Sequence, residues 1–314
     1  MKIKDLTKLD PDCRSYLPSD LIPSSGLVGV EIELEGFSRY HMFKFKSKYW
    51  TVKQDGSLRD DGLEFIFNHP LSGVDIERAL FEFETWIKSY SEKYGHPNIT
   101  ERCSVHVHVD MRDATVRQAH VFILLYMTFE TMFFHEFGKD RDGNNYCIPV
   151  GMSAAKRNLS GVGSKSEGKV AASLEGSKYT SLNTGAVYHF GSFEIRLHEG
   201  TYDSQAILKW VCILLSMKEY SDNHEINPLM FPTMISEIGL NEFVADVFDH
   251  YMDGHLYRGW QTDVMKGMRI AQDTIIYEKM KTSHSRLTSG GGDLSQRIKK
   301  FADVNNIDLE AGEE

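Results

Sequence analysis

Cysteine is scarce in this chain and badly placed for chemistry. Cys13, Cys103, Cys147 and Cys212 are the only four, and none forms a CxxC pair. That spacing argues against a zinc knuckle or a disulfide framework and suits a reducing compartment, so a cytoplasmic protein is expected. Long apolar runs are missing too. The longest, Val121 to Phe129, is too short to cross a bilayer. The segment MKIKDLTKLD has no apolar stretch behind its basic residues, so neither a signal peptide nor a membrane partner is expected. Basic residues are outnumbered 35 to 45 by acidic ones, a formal net charge of −10, and nucleic acid is therefore not an expected partner. What is present is ordinary for a globular protein: 41% hydrophobic and 25% charged residues, enough to bury a core.

Pattern divides the 314 residues. Residues 1–26, broken by Pro11, Pro18 and Pro23, read as a lead-in. A strand follows at 28–34, a second over 41–54 and a third over 63–67, with Asp55-Gly56-Ser57 as a turn between the last two. Ile76, Leu80, Phe83 and Ile87 recur at helical spacing, which predicts a helix over 75–94. The alternating strand at 104–110 precedes a strongly apolar helix over 115–137. Residues 138–177, rich in Gly, Ser, Asn and Lys, read as a long loop. With Lys165, Lys169 and Lys178 it suits either a lid closing on anions or a plain surface loop. GSKSEGKV (163–170) comes near a phosphate-binding loop, but Val170 stands where Ser or Thr should hold magnesium and no apolar strand leads in, so that reading is rejected. Strand character returns at 178–183 and 193–197, and helices are expected at 203–220, 241–252 and 263–281. The resulting divisions are a catalytic region over 27–222, a helical part over 223–287 and a linker and tail over 288–314. Strands interrupted and followed by helices favour α+β with an antiparallel sheet over a doubly wound fold.

Three strands share one grammar: GVEIELEG, SVHVHVD and SFEIRLHEGT. Alternate strand residues share a face. Val28, Val30, Ile32 and Leu34 would oppose Glu31, Glu33 and Glu35; Val105, Val107 and Val109 would oppose His106, His108 and Asp110. Phe193, Ile195 and Leu197 would oppose Glu194, Arg196 and His198. An ordinary wet face carries Lys, Thr, Ser and Gln; these carry carboxylates, imidazoles and an arginine. Clustered carboxylates repel and raise one another's pKa unless cations neutralise them. Oxygen ligands with an imidazole suit Mg²⁺ or Mn²⁺ better than zinc. Each piece also has a bland reading: Glu31 and Glu33 as an exposed strand face, the HxH pair as structural histidines, Glu194 with Arg196 as a surface ion pair.

Taken in order, the pieces carry a resemblance. Gly29-x-Glu31-x-Glu33, then Asp55-Gly56-Ser57 with Glu64 following, then His106-x-His108-x-Asp110, then Phe193-Glu194-x-Arg196 with Gly200-Thr201 are similar to the amidoligase family. That family belongs to the carboxylate–amine ligases, which include glutamine synthetase and glutamate–cysteine ligase. The resemblance covers about residues 27–215. It implies an α+β fold with a concave, antiparallel, glutamine-synthetase-like catalytic sheet backed by helices. It implies ATP and two or three Mg²⁺ or Mn²⁺ ions. Glu31, His106 and Glu194 would hold a nucleotide-side ion, and Glu33, Asp55 and Glu64 a substrate-side ion. His108 would contact phosphate, Arg196 would grip the transferred phosphoryl group, and Tyr179 and Asn183 would touch substrate. Glu33, Glu64 and Arg196 would carry the catalysis. Ser104 departs from the pattern, since many relatives have Gly there, and Phe193 stands where Thr or Val is commoner.

The implied reaction is ATP-dependent joining of a carboxylate to an amine through an acyl phosphate. An amino acid, a polyamine or a peptide would be the partner substrate, and the resemblance leaves room for a homo-oligomer. Glu199 and Glu175 are candidates for the base that deprotonates the amine. Two alternatives stay open: a metal-dependent phosphoryl hydrolase or nuclease using the same carboxylates, and a non-catalytic nucleotide-binding or structural protein of the same fold.

Overall fold

The structure is a computed structural model that describes residues 2–5, 19–23, 26–37, 45–153, 174, 178–224, 226 and 230–287; for Pro232 and 274–287 it describes the backbone alone. The leading residues up to 18, the Walker-like segment with Glu175, and the linker and tail from 288 lie outside the described residues, save Lys2–Asp5. One compact unit spans Met1–Ile275; Ile276–Glu314 forms another, of which the helical backbone through Leu287 is described.

The first unit is built on one antiparallel sheet of six strands in the order β2-β3-β1-β4-β6-β5. These are β1 (Val28–Leu34), β2 (Trp50–Gln54), β3 (Leu63–Phe67), β4 (Ser104–Asp110), β5 (Leu182–Asn183) and β6 (Ser192–Glu199). Seven helices are found among the described residues: α1 (Val74–Tyr94), α2 (Val116–Phe137), α3 (Val187–Phe190), α4 (Ser204–Asn223), α5 (Phe231–Ile238), α6 (Leu240–Phe248) and α7 (Trp260–Leu287). This is the expected α+β class. No helix among the described residues is long and apolar enough to cross a membrane.

Alternation splits the sheet into an apolar and a polar face, and register aligns the strands. Ile32 lies opposite Phe65 on β3 and Val105 on β4, Val30 opposite Val107, and Val107 opposite Ile195. Directly opposed residues share a face, and all of these are fully buried. Helices cover this face: Phe83 of α1 meets Trp50 and Phe65, and Phe122 of α2 meets Phe193. Local signals set where the helices start. Thr115 and Gln118 form a capping box at the head of α2, and the Asp203 carboxylate accepts from the backbone of Gln205 and Ala206 at the head of α4.

Several sequence expectations are corrected here. The second strand begins at Trp50, because the Ser47 hydroxyl accepts from the Tyr49 and Trp50 amides and turns the chain beforehand. The strand expected over 178–183 shortens to two residues, since Tyr179 and Ser181 spend their backbone on Ile148. Within the expected 138–177 loop, buried Arg141, Cys147 and Val150 anchor residues 139–153; 154–173 and 175–177 lie outside the described residues. Helix α5 lies in the expected helical part over 223–287 but was not picked out as a separate helix; its one proline, Pro232, sits in the first turn, where proline is tolerated. Finally, His198 does not share the polar face. The β4–β6 register slips between Val105 and Val107, so two β6 residues oppose His106 and the alternation changes phase. His198 lands opposite Val105, buried against Phe137 and Trp210, and burial pulls its pKa down to about 4.

Candidate active site

The polar face reads as rows across the strands. One row runs Asn183, Glu194, His108, Gly29; the next His106, Glu31, Ile66; the third pairs Glu33 with Glu64. β1, β4 and β6 are direct neighbours, the condition that a shared site requires. Gly29 matters sterically: a Cβ there would lie 3.3 Å from the His108 Cβ. Its absence lets the imidazole sit against β1.

Three groups of side chains bring one potential ligand atom each to within 4.8 Å of one another: Glu33, Asp55 and Glu64; Glu31, His108 and Glu194; and Glu31, Glu64 and His106. All six residues expected to hold metal, Glu31, Glu33, Asp55, Glu64, His106 and Glu194, therefore converge. The trio Glu33, Asp55 and Glu64 is the one expected. The other division differs, since His108 rather than His106 joins Glu31 and Glu194, and His106 joins Glu31 and Glu64. Asp55 reaches the group from the β2–β3 turn, where its carboxylate is steered by the Ser57 amide at 2.7 Å.

Glu31 is clamped between two imidazoles. His106 Nδ1 is 3.1 Å from one of its oxygens and His108 Nε2 3.5 Å from the other. The far nitrogen of each ring meets a serine: His106 Nε2 lies 2.7 Å from Ser104 Oγ, and His108 Nδ1 3.0 Å from Ser192 Oγ. Burial works to protonate Glu31, but the two histidines outweigh it and hold the carboxyl well below its ordinary range. Glu194 behaves alike: burial pushes up, and His106, Arg196, His108 and Asn183 together bring the net shift down. For His108 burial pulls down, yet Glu31 and Glu194 raise it overall. Glu64 goes the other way. Burial first, then Glu31, Glu33 and Asp55, push it up to about 8; Lys53, its partner in register, pulls down without prevailing. A carboxyl driven that high marks surplus negative charge, and a carboxylate and imidazole donor set of this kind fits hard divalent cations. On that ground the residues fit Mg²⁺ or Mn²⁺.

Arg196 donates to the Glu194 carboxylate, and its buried Nε has no hydrogen-bond partner among the described residues. A buried donor left open beside carboxylates is poised for an anionic ligand. The Asn183 amide donates to Glu194 at 2.7 Å and its oxygen accepts from Gly185, so in this structure it holds Glu194. Tyr179 lies outside the carboxylate groups, with its ring 6.0 Å from Tyr146. Glu35, third in the alternation, is fully buried and ties down the Arg59 amide and Thr100 hydroxyl at 2.7 and 3.0 Å, a structural task. Glu199 is half-buried with its pKa raised, first by burial and then by Asp140. Sequence reasoning missed Ser192 as a partner of His108. The only signal was its place opposite Asp110, one residue before the motif.

At the Glu31 and His108 end opens a cavity of about 260 Å³, lined by Leu27, Ile66, Pro70 and Phe190 among others. Phe190 is 63% exposed, with its ring edge-on to His108 at 5.5 Å. Gly191 follows in the left-handed region at φ 69°, where a side chain would strike Arg112.

With this geometry in view, the comparisons are informative. A family described as "putative amidoligase enzyme" matches residues 91–217. The chain is thus similar to that family over this segment. No curated protein matches the sequence. The amidoligase match contains β4, β5 and β6, and with them His106, His108, Asn183, Glu194 and Arg196. Glu31, Glu33, Asp55 and Glu64 lie before it; the three glutamates join the site through strand pairing and Asp55 through the β2–β3 turn. A ligase activity is what the family implies.

Proposed function

We propose that this protein is an ATP-dependent carboxylate–amine ligase working through an acyl phosphate. The observation that carries the proposal is one sheet face holding three ligand groups beside an arginine with an open donor. The amidoligase match supports it independently.

In this reading a substrate carboxylate oxygen bonds to the γ-phosphorus of ATP and the bond to the β-phosphate oxygen breaks, releasing ADP. The amine nitrogen then attacks the acyl carbon, inorganic phosphate leaves, and the nitrogen gives up a proton. Divalent ions, when bound, supply charge neutralisation between the two anions. Glu31, His108, Glu194 and His106 would hold them at the nucleotide end, and Glu33, Asp55 and Glu64 at the substrate end. Arg196 would meet the equatorial oxygens of the moving phosphoryl group with its open Nε–H. Asn183 would keep Glu194 aimed. Tyr179 and Asn183 remain the proposed substrate-contacting pair. The cavity beside Phe190 lies at the small end of ligand pockets, enough for a flat ring but not a whole nucleotide. A nucleobase there would leave the phosphates over the carboxylates. The net charge of −10 favours small-molecule or peptide substrates over nucleic acid, and the sparse cysteines fit a cytoplasmic setting.

The test is incubation with Mg-ATP and pools of amino acids, polyamines and peptides. ADP release that requires both an acid and an amine is the expected result. Phosphate release that ignores the amine would mark a phosphoryl hydrolase and sink the ligase reading.

A further inference from the structure

We infer that Ser104 is a positioning residue that selects the tautomer of His106 and couples the two ends of the site; the inference rests on the metal-binding part of the reading above. Ser104 opens β4 and is fully buried on the polar face, two residues from His106. Its hydroxyl donates to the Glu33 carboxylate, and the same oxygen lies 2.7 Å from His106 Nε2. A hydroxyl has one proton. Spent on Glu33, it leaves only lone pairs toward the ring, so Nε2 must carry hydrogen and donate. Nδ1 is then the nitrogen left for the other partner. That nitrogen faces Glu31 Oε2 at 3.1 Å and Glu194 Oε1 at 3.7 Å. Nδ1 is within hydrogen-bond distance of Glu31, and a bound ion would take the place of the proton between them, with Nδ1 as the ligand atom.

A continuous path follows: Glu33, a member of the carboxylate-only trio, to Ser104, to His106, to Glu31. An ion that draws Glu33 toward Asp55 and Glu64 alters the hydrogen bond that orients His106, and an ion on His106 strengthens the donor facing Ser104. Filling one end therefore changes affinity at the other, and by linkage the effect is reciprocal. Glycine or alanine at 104 has no hydroxyl for either contact. The departure from the family pattern at this position thus acquires a task.

Mn²⁺ titration by calorimetry on the full chain tests this, with ring ¹⁵N spectra of histidine-labelled protein as the structural readout. The wild type is expected to show the Nε2–H tautomer for His106 and interacting Mn²⁺ sites. Ser104→Ala is expected to weaken Mn²⁺ binding by about 10-fold or more, the range for partners of metal ligands, and to make the sites independent. Ser104→Thr, which keeps the hydroxyl, is expected to restore both. Wild type that binds Mn²⁺ while Ser104→Ala matches it in affinity and coupling overturns this inference and leaves the ligase reading standing. Wild type that binds no Mn²⁺ overturns both. Should Ser104→Ala fail to fold, the His106 ring in the wild type decides: a ring with no hydrogen on Nε2 refutes the inference.

Discussion

Two neighbours on β1 stand in opposite surroundings. Glu31 lies between two imidazoles, with Glu194 and Arg196 one strand beyond. Glu33 lies opposite Glu64 and near Asp55, so its end of the face gathers carboxylates. The first end arrives largely neutralised, and its carboxylates are held low. The second gathers carboxylates, and burial first, then the charge of its neighbours, push Glu64 up to about 8. The lesson is that the ends depend differently on cations. The imidazole and arginine end can hold its geometry from within, whereas the carboxylate end stores repulsion that an ion would relieve. The family match divides along nearly the same line: it covers the strands of the first end except β1, and none of the carboxylates of the second.

The comparison breaks most visibly at Glu31, which belongs to two ligand groups and sits between both imidazoles. Glu31→Ala is expected to lower kcat/KM by more than about 10³-fold, beyond what one electrostatic donor supplies, while circular dichroism stays that of the wild type. Full activity in that variant would remove the metal assignment. Next is Arg196→Lys, which keeps the charge but loses the planar fork and the open Nε–H. It is expected to cost about 10²-fold in kcat with a smaller change in KM for ATP. A change confined to KM would show that Arg196 serves binding alone.

The stored repulsion is sharpened by Glu64→Gln. Without metal this variant is expected to melt a few degrees above the wild type above pH 8, because it removes a charge from the trio. With saturating Mg²⁺ the order should reverse. A variant less stable in both conditions would mean that the trio is not under strain.

A last effect, on stability and not on catalysis, concerns support beneath the first end. Glu130 of α2 is buried, accepts from the Val150 amide at 2.9 Å and from the Ser181 hydroxyl, and Ser181 in turn accepts from the Arg196 amide. Burial raises its pKa from 4.5 to about 7. The folded chain thus holds this proton more tightly than the unfolded one. The resulting stability is complete below pH 4.5 and lost as pH climbs through 7. Relative to the wild type, Glu130→Gln should gain about 3 kcal/mol between pH 4.5 and 8 in urea titrations. A difference independent of pH would place Glu130 in an ionised state throughout.

Much of this was legible beforehand, for physical reasons. Period-two alternation marked β1, β3 and β4 because one face of each is fully apolar, and Leu63–Phe67 was placed with its bounds correct. The convergence of Glu31, Glu33, Asp55, Glu64, His106 and Glu194 was readable because alternation names a face and motif order names the strands. What escaped depended on register and on hydroxyls. His198 looked like a polar-face residue until one slipped pairing turned it inward. Ser104 and Ser192 carry no charge and make no pattern, yet they decide which nitrogen each histidine turns toward Glu31. The hold of Asn183 on Glu194 across the strands was likewise invisible in the sequence.

The central claim is that one sheet face holds two unlike metal groups. Anomalous diffraction from crystals grown with Mn²⁺ and a non-hydrolysable ATP analogue tests it directly. The account predicts manganese peaks at two places, one bounded by Glu31, Glu194 and a histidine, the other by Glu33, Asp55 and Glu64, with the analogue's phosphates toward Arg196. Clear density for the analogue with no manganese at these carboxylates, or with manganese held elsewhere, would contradict it.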